Sequence, residues 1–142
     1  KKSIKSLAEQ GMPIYAECGG LMYLTKSIEY GSKKYPTVGL FDAETVMEKK
    51  MTLNYTKARV ISDCIVAKRS AELLGHEFHY SELRSIPRDS KFAYGLSVGV
   101  GIDDKKDGLT EYDTLASYMH LYFDRGNYSK NFVNNCVKFS TR

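Results

Sequence analysis

The segment Pro13 to Leu24, PIYAECGGLMYL, constrains what this chain can fold into more than any other stretch. An apolar run suited to a buried strand ends at Glu17 and Cys18. Two glycines follow, and Leu21, Met22 and Leu24 then recur at helical spacing. A strand that becomes a helix this abruptly must reverse its backbone, and Gly19 and Gly20 are expected to allow this without a Cβ clash. Such a strand-turn-helix corner presents the side chain at its apex, here the thiol of Cys18. The helix N-terminus is expected to favour the thiolate, and the backbone N–H of Gly19 points where an oxyanion would develop. The same residues also suit a buried, inert cysteine beside a Gly-Gly turn, so the local pattern leaves both readings open.

Around this corner the periodicity predicts a simple alternation. Ile4, Leu7 and Ala8 place a helix over 2–10, stopped by Gly11 and Pro13; a strand over 13–17 and a helix over 19–25 follow. Short β-type runs then occupy 27–30, 37–41, 51–55 and 58–67, with further runs at 76–81, 92–100 and 114–123. A closing helix is expected over 129–138, with Phe132, Val133, Cys136 and Val137 on one face and Ser129 as cap. Strand and helix alternate at both ends with β-rich material between, which predicts an α/β layered sheet with a mixed edge. With 142 residues and no repeat or linker, one domain over 1–142 is expected.

Charge and cysteines narrow the function classes. The 21 basic and 17 acidic residues are scattered, so the net +4 makes no stripe of the kind that binds nucleic acid. Lys33-Lys34 and the run Asp103 to Asp107 read as solvated turns. No apolar stretch approaches the roughly 20 residues that cross a bilayer, and no signal-peptide core follows the Lys-rich start. Cys18, Cys64 and Cys136 form no C-x-x-C pair, which fits a reducing compartment and predicts a cytoplasmic protein.

A reactive thiol calls for an imidazole, and the chain has His76, His79 and His120. His120 lies late in an apolar run, at the strand end where open α/β sheets bind ligands, although a half-buried, hydrogen-bonded histidine is the commoner occupant of such a place. In a strand over 75–82, GHEFHYSE, His76, Phe78 and Tyr80 would face one side and Glu77, His79 and Ser81 the other. The two imidazoles diverge, so no metal site is expected, and the segment reads as an ordered polar strand near the site or a partner interface.

Three segments in register, YAECGGLMYL at 15–24, GHEFHYSE at 75–82 and ASYMHLYF at 116–123, resemble the class I glutamine amidotransferase domain of the cobyrinic acid a,c-diamide synthase and cobyric acid synthase group. The resemblance covers essentially the whole chain. It implies a flavodoxin-like sheet with helices on both faces, Cys18 as nucleophile, His120 as its base, and Gly19 as an oxyanion donor. Glutamine would be the ammonia source. An upstream synthetase domain, outside this stretch, would use ATP and Mg²⁺ to amidate a tetrapyrrole such as cobyrinic acid, and no cofactor is expected on these residues. The GHEFHYSE segment favours the a,c-diamide branch, with nickel-sirohydrochlorin a,c-diamide synthase and cobyric acid synthase as alternatives. Glu17, His76, Glu77 and His79 belong to the family's motifs without an assigned role.

Two departures qualify the resemblance. The wider class carries a glutamate two residues after its histidine, where this chain has Tyr122; Asp124 or a residue from the partner domain is then a candidate to orient His120. The family's first strand and glycine-rich loop, and a G-x-x-x-x-G-K-[ST] phosphate loop, are not found here, so the stretch is expected to be the C-terminal portion of a longer synthetase. A non-catalytic binding or regulatory module of the same fold is the competing class, and self-association into a homo-oligomer stays open.

Overall fold

A computed structural model describes residues 1–142 and contains three helices and a nine-stranded sheet. In chain order the elements are α1 (Lys2–Glu9), β1 (Ile14–Glu17), α2 (Gly19–Leu24), β2 (Ser27–Tyr30), β3 (Lys33–Pro36), β4 (Glu44–Val60), β5 (Glu72–Arg84), β6 (Lys91–Val98), β7 (Lys106–Glu111), β8 (Thr114–Ser117), β9 (His120–Leu121) and α3 (Tyr128–Ser140). The strands run β1-β8-β7-β6-β4-β2-β3, and β5 pairs with both β4 and β9. Only β1–β8 and β2–β4 are parallel. The path β8-β7-β6-β4-β5-β9 returns to the segment where it began, because β9 follows β8 after two residues.

Alternation along the strands sorts the core into two clusters, one on each face. Ile14 and Ala16 of β1 and Ala116 of β8 join Ala8 of α1 and Leu21 and Leu24 of α2 in one cluster. Tyr15 and Leu115 join the other, against which Tyr128 and Phe132 of α3 pack. Helices therefore cover both faces, as expected. Leu21 is fully buried and Leu24 nearly so, and burying each stabilises α2's seat on the sheet by about 2 kcal/mol. That burial fixes the position of the corner.

Several boundaries differ from the sequence reading. Residues 37–41 are not a strand; they pack Val38, Leu40 and Phe41 into the core through backbone bonds to Tyr23, Leu24 and Thr25. Lys33-Lys34 lies in exposed β3, and Asp107, expected in a solvated turn, is fully buried in β7. The runs at 51–55 and 58–67 belong partly to one 17-residue strand, β4, which is long because it pairs at different stretches with β2, β5 and β6. The run at 114–123 is broken into β8 and β9, since residues 118 and 119 give their N–H groups to a carboxylate and not to a strand. α3 starts after Asn127, makes no side-chain cap, and leaves Val133 and Val137 exposed.

Candidate active site

β1 and β8 run parallel in the register Ile14↔Thr114 to Glu17↔Ser117, so the residues just past their carboxyl ends meet at one end of the sheet. Cys18 follows β1, and His120 follows β8 through a two-residue turn. Cys18 itself makes the corner: it holds φ 46° and ψ −103°, a conformation costing a non-glycine residue about 1–3 kcal/mol. Its N–H donates to the Ser117 carbonyl (2.8 Å) and its carbonyl accepts from Met22 N–H (3.0 Å), which pins the strained residue from both sides. The expected role of the glycines is thereby corrected. Neither has positive φ; a Cβ at Gly19 would meet nothing, and one at Gly20 would lie 3.0 Å from the Ala16 Cβ. Gly20 allows α2 to pack closely on β1, whereas the reversal is carried by the cysteine.

The thiol is not a resting thiolate. Burial pushes the Cys18 pKa up, the Gly19 N–H pulls it down, and the Glu17 carboxylate raises it further, with a net rise. Desolvation outweighs what one six-residue helix terminus can offer. The S–H group instead donates to the Phe78 carbonyl of β5 at 3.4 Å. A proton acceptor is thus required before this sulfur can attack.

His120 sits in a fixed frame. Its Nδ1 lies 3.0 Å from Glu17 Oε2, and Glu17 Oε1 accepts the Leu121 N–H at 2.9 Å and the Tyr15 hydroxyl. His76 stacks on its ring with centroids 4.9 Å apart and planes 8° from parallel. Glycine at position 75 is demanded by this frame, because a Cβ there would fall 2.0 Å from the His120 carbonyl oxygen. The turn before His120 is held by Asp107, whose Oδ1 accepts from Gly108 and Tyr118 N–H and whose Oδ2 accepts from Met119 N–H (2.9 Å). Burial pushes Asp107 up to about 6 against those three donors.

The strand over 75–82 does face two ways, as its alternation predicted. His76, Phe78 and Tyr80 point outward, and Glu77, His79 and Ser81 are buried. Glu77 and His79 therefore lie on the opposite face of β5 from His76. Glu77 accepts from Asn54 Nδ2, Val100 N–H and Gly101 N–H, tying β5 to β4 and to the loop after β6. Burial opposes its charge, but the nearby His79 ring and bonds from Gly101, Val100 and Asn54 prevail and hold it down to about 2. His79 donates Nδ1–H to the Ser81 carbonyl (2.8 Å), stacks on Tyr118 (3.7 Å), and sets its buried Nε2 3.8 Å from Glu77 Oε2, beyond hydrogen-bond distance. No group of three or more metal-ligating side chains converges anywhere in the chain.

Asp124 is exposed in the loop after β9, and no hydrogen bond or ion pair joins it to His120; Glu17 occupies that ring nitrogen instead. The parts of Asp107, Gly75 and Tyr15 were missed in the sequence. A glycine inside an otherwise β-type run was the available signal for Gly75, since it often marks a close backbone approach.

Residues 1–128 match the CobB/CobQ-like glutamine amidotransferase domain. The chain belongs to this family. CobB/CobQ-like relatives named cobyrinate a,c-diamide synthase are 41% identical over 135 residues in Methanosarcina barkeri, 46% over 120 in Sulfurisphaera tokodaii and 42% over 139 in Dehalococcoides mccartyi. These alignments cover 86%, 84% and 94% of this chain but only 27%, 27% and 30% of the relatives. Among solved structures, a Thermoplasma acidophilum protein assigned to GMP synthase superposes with TM-score 0.62 at 19% identity, over 98% of this chain and 65% of that one. PurLQS from Thermotoga maritima gives 0.65 at 13% identity, over 96% and 66%. Together with a solved glutamine amidotransferase at TM-score 0.61, they place the CobB/CobQ-like domain in the class I amidotransferase fold.

Proposed function

We propose that this chain is the glutamine-hydrolysing portion of a cobyrinate a,c-diamide synthase, with Cys18 as nucleophile and His120 as its acid and base. One observation carries the reading: parallel pairing of β1 and β8 brings a strained cysteine and a carboxylate-bonded imidazole to the same end of the sheet. His120 takes the thiol proton as Sγ attacks the side-chain amide carbon of glutamine, and the oxyanion forms toward the Gly19 N–H. When the C–N bond breaks, the imidazolium gives its proton to the leaving nitrogen, so ammonia departs and a γ-glutamyl thioester remains. Water then adds to the thioester, losing a proton to His120. The C–S bond breaks, the proton returns to sulfur, and glutamate leaves. The sum is glutamine plus water to glutamate plus ammonia.

Ammonia then serves ATP- and Mg²⁺-dependent amidation of the a and c carboxylates of a tetrapyrrole, on the synthetase part of a longer protein. Two features support such a neighbour. The chain spans about a quarter of the length of its relatives, and the outward face beside the thiol exposes Leu53, Tyr55, Phe78 and Tyr80. An open cleft lined by Leu53, Asn54, Tyr55, His76 and Tyr122 adjoins the stacked imidazoles and would admit glutamine. No helix is long and apolar enough to cross a membrane, and the three cysteines are free, which supports a reducing, cytoplasmic setting.

The test uses the full-length protein. A diazo-ketone analogue of glutamine should label Cys18, and Cys18→Ala should abolish glutamine-driven diamide formation while leaving ammonia-driven formation intact. Glutamine hydrolysis surviving in Cys18→Ala refutes the reading. Supplying cobyrinate and nickel-sirohydrochlorin side by side identifies the acceptor.

A further inference from the structure

We propose that Glu17, the residue immediately before the nucleophile, is the positioning residue of His120: its carboxylate fixes the ring's tautomer and steadies the imidazolium while the proton is in transit. This rests on the amidotransferase reading and assigns the third group that position 122 does not supply. Tyr122 packs its ring against His76 (5.9 Å, 32°).

Donor and acceptor roles fix the tautomer. A carboxylate only accepts, so the 3.0 Å contact between Glu17 Oε2 and His120 Nδ1 requires the proton on Nδ1. Nε2 is then the ring atom with a free lone pair, the one able to take the Cys18 proton. Glu17 is itself held. Oε1 accepts the Leu121 N–H (2.9 Å), from the residue next to the histidine, and the hydroxyl of Tyr15. Tyr15 is anchored in turn by edge contact with Phe123 (centroids 5.0 Å) and by Phe132 of α3. Carboxylate, ring and backbone thus form one unit across 103 residues of sequence, and the His76 stack limits tilting of the imidazole on its face.

Placement also matters. The carboxylate sits on the last residue of β1 and the thiol on the next residue, so one corner aims both the nucleophile and the group that orients its base. A negative charge this close opposes a standing thiolate, which delays ionisation of sulfur until the proton can pass to His120.

The experiment compares Glu17→Gln, Glu17→Asp and Tyr15→Phe in the full-length protein, following glutamine-driven and ammonia-driven amidation. Glutamine can still accept from Leu121 and Tyr15, but its NH₂ group faces Nδ1 and forces the proton to Nε2. Glu17→Gln should lower the glutamine-dependent kcat about 10²-fold or more and change KM by less than about threefold, because the ring then presents the wrong tautomer to the thiol. Ammonia-driven activity should stay unchanged. Glu17→Asp should restore part of the rate, and Tyr15→Phe should lower it far less than Glu17→Gln does. An unaltered kcat in Glu17→Gln would overturn the proposal, as would Tyr15→Phe reproducing the Gln variant. Histidine ¹⁵N shifts in the wild-type protein check the tautomer independently of any variant: Nδ1–H on His120 is expected, and Nε2–H overturns the assignment. If Cys18→Ala kept hydrolysing glutamine, the amidotransferase reading itself would fall; with that variant dead and Glu17→Gln active, only the role of Glu17 falls.

Discussion

Gly75→Ala tests whether β5 positions the His120 imidazole. Gly75 pairs with Leu121 and His76 with His120, and these two pairs make up the β5–β9 register. An added Cβ would stand 2.0 Å from the His120 carbonyl oxygen, 2.9 Å from its carbon and 3.2 Å from Met119 Cε. Real Cβ contacts do not fall below 3.0 Å, so the strands must part by about 1 Å. Overpacking of this kind costs about 1–3 kcal/mol, and loss of the short ladder adds about 1 kcal/mol for each bond broken, so about 3–5 kcal/mol is expected in all. If β9 instead yields, His120 moves by about 1 Å from the thiol, a displacement worth about 10²-fold in rate. Gly75 has no positive φ, so in the absence of the clash alanine would be favoured by about 0.5–1 kcal/mol. The sign of the change therefore discriminates. Denaturant unfolding and the glutaminase kcat of the full-length protein give the readout. A Gly75→Ala protein as stable and as active as wild type would show that His120 is not fixed by β5.

The other predictions concern buried acids and the thiol. Glu77, held down to about 2 in the folded state, should contribute about 3 kcal/mol of stability above pH 4.5 and lose it as pH falls toward 2; Glu77→Gln should flatten the fall in urea-unfolding stability between pH 4.5 and pH 2. Asp107 runs the other way. Because burial raises it from 3.8 to about 6, the folded state binds the extra proton, so its contribution is present below pH 4 and is lost as pH rises to 6. Asp107→Asn should flatten that slope in unfolding curves across pH 4–6, and should also lower kcat by loosening the turn before His120, since an amide cannot accept from all of Gly108, Tyr118 and Met119 as the carboxylate does. With its pKa raised, Cys18 should alkylate slowly with iodoacetamide at pH 7 in the absence of glutamine and faster as the medium becomes alkaline, as followed by mass spectrometry; a fast, pH-independent rate near neutrality would contradict the protonated resting thiol.

Legibility differed between parts of the molecule for physical reasons. The corner at Cys18 was readable because strand, turn and helix are local, and its apolar spacing lies within twelve consecutive residues. The alternation of β5 was readable for the same reason, since neighbouring side chains in a strand must point to opposite faces. Strand β7 was not: its sequence KDGLTE looks like a surface turn, and Asp107 is buried there only because three backbone N–H groups, two of them more than ten residues away, surround it. The positive φ at Cys18 was also hidden, because two adjacent glycines offered the cheaper place for a reversal.

By itself the sequence determined the local units: a cysteine at a strand-to-helix corner, a histidine at the end of an apolar run, and a two-faced strand carrying two more imidazoles. The tertiary structure alone decided their partnership. Parallel pairing of β1 with β8 and the return of β9 to β5 set Glu17 against His120 and His76 over its ring. The same assembly pushes the thiol pKa up chiefly by burial, which belongs to the packed fold and leaves no mark in the order of residues, whereas the smaller contribution of Glu17 comes from the adjacent position.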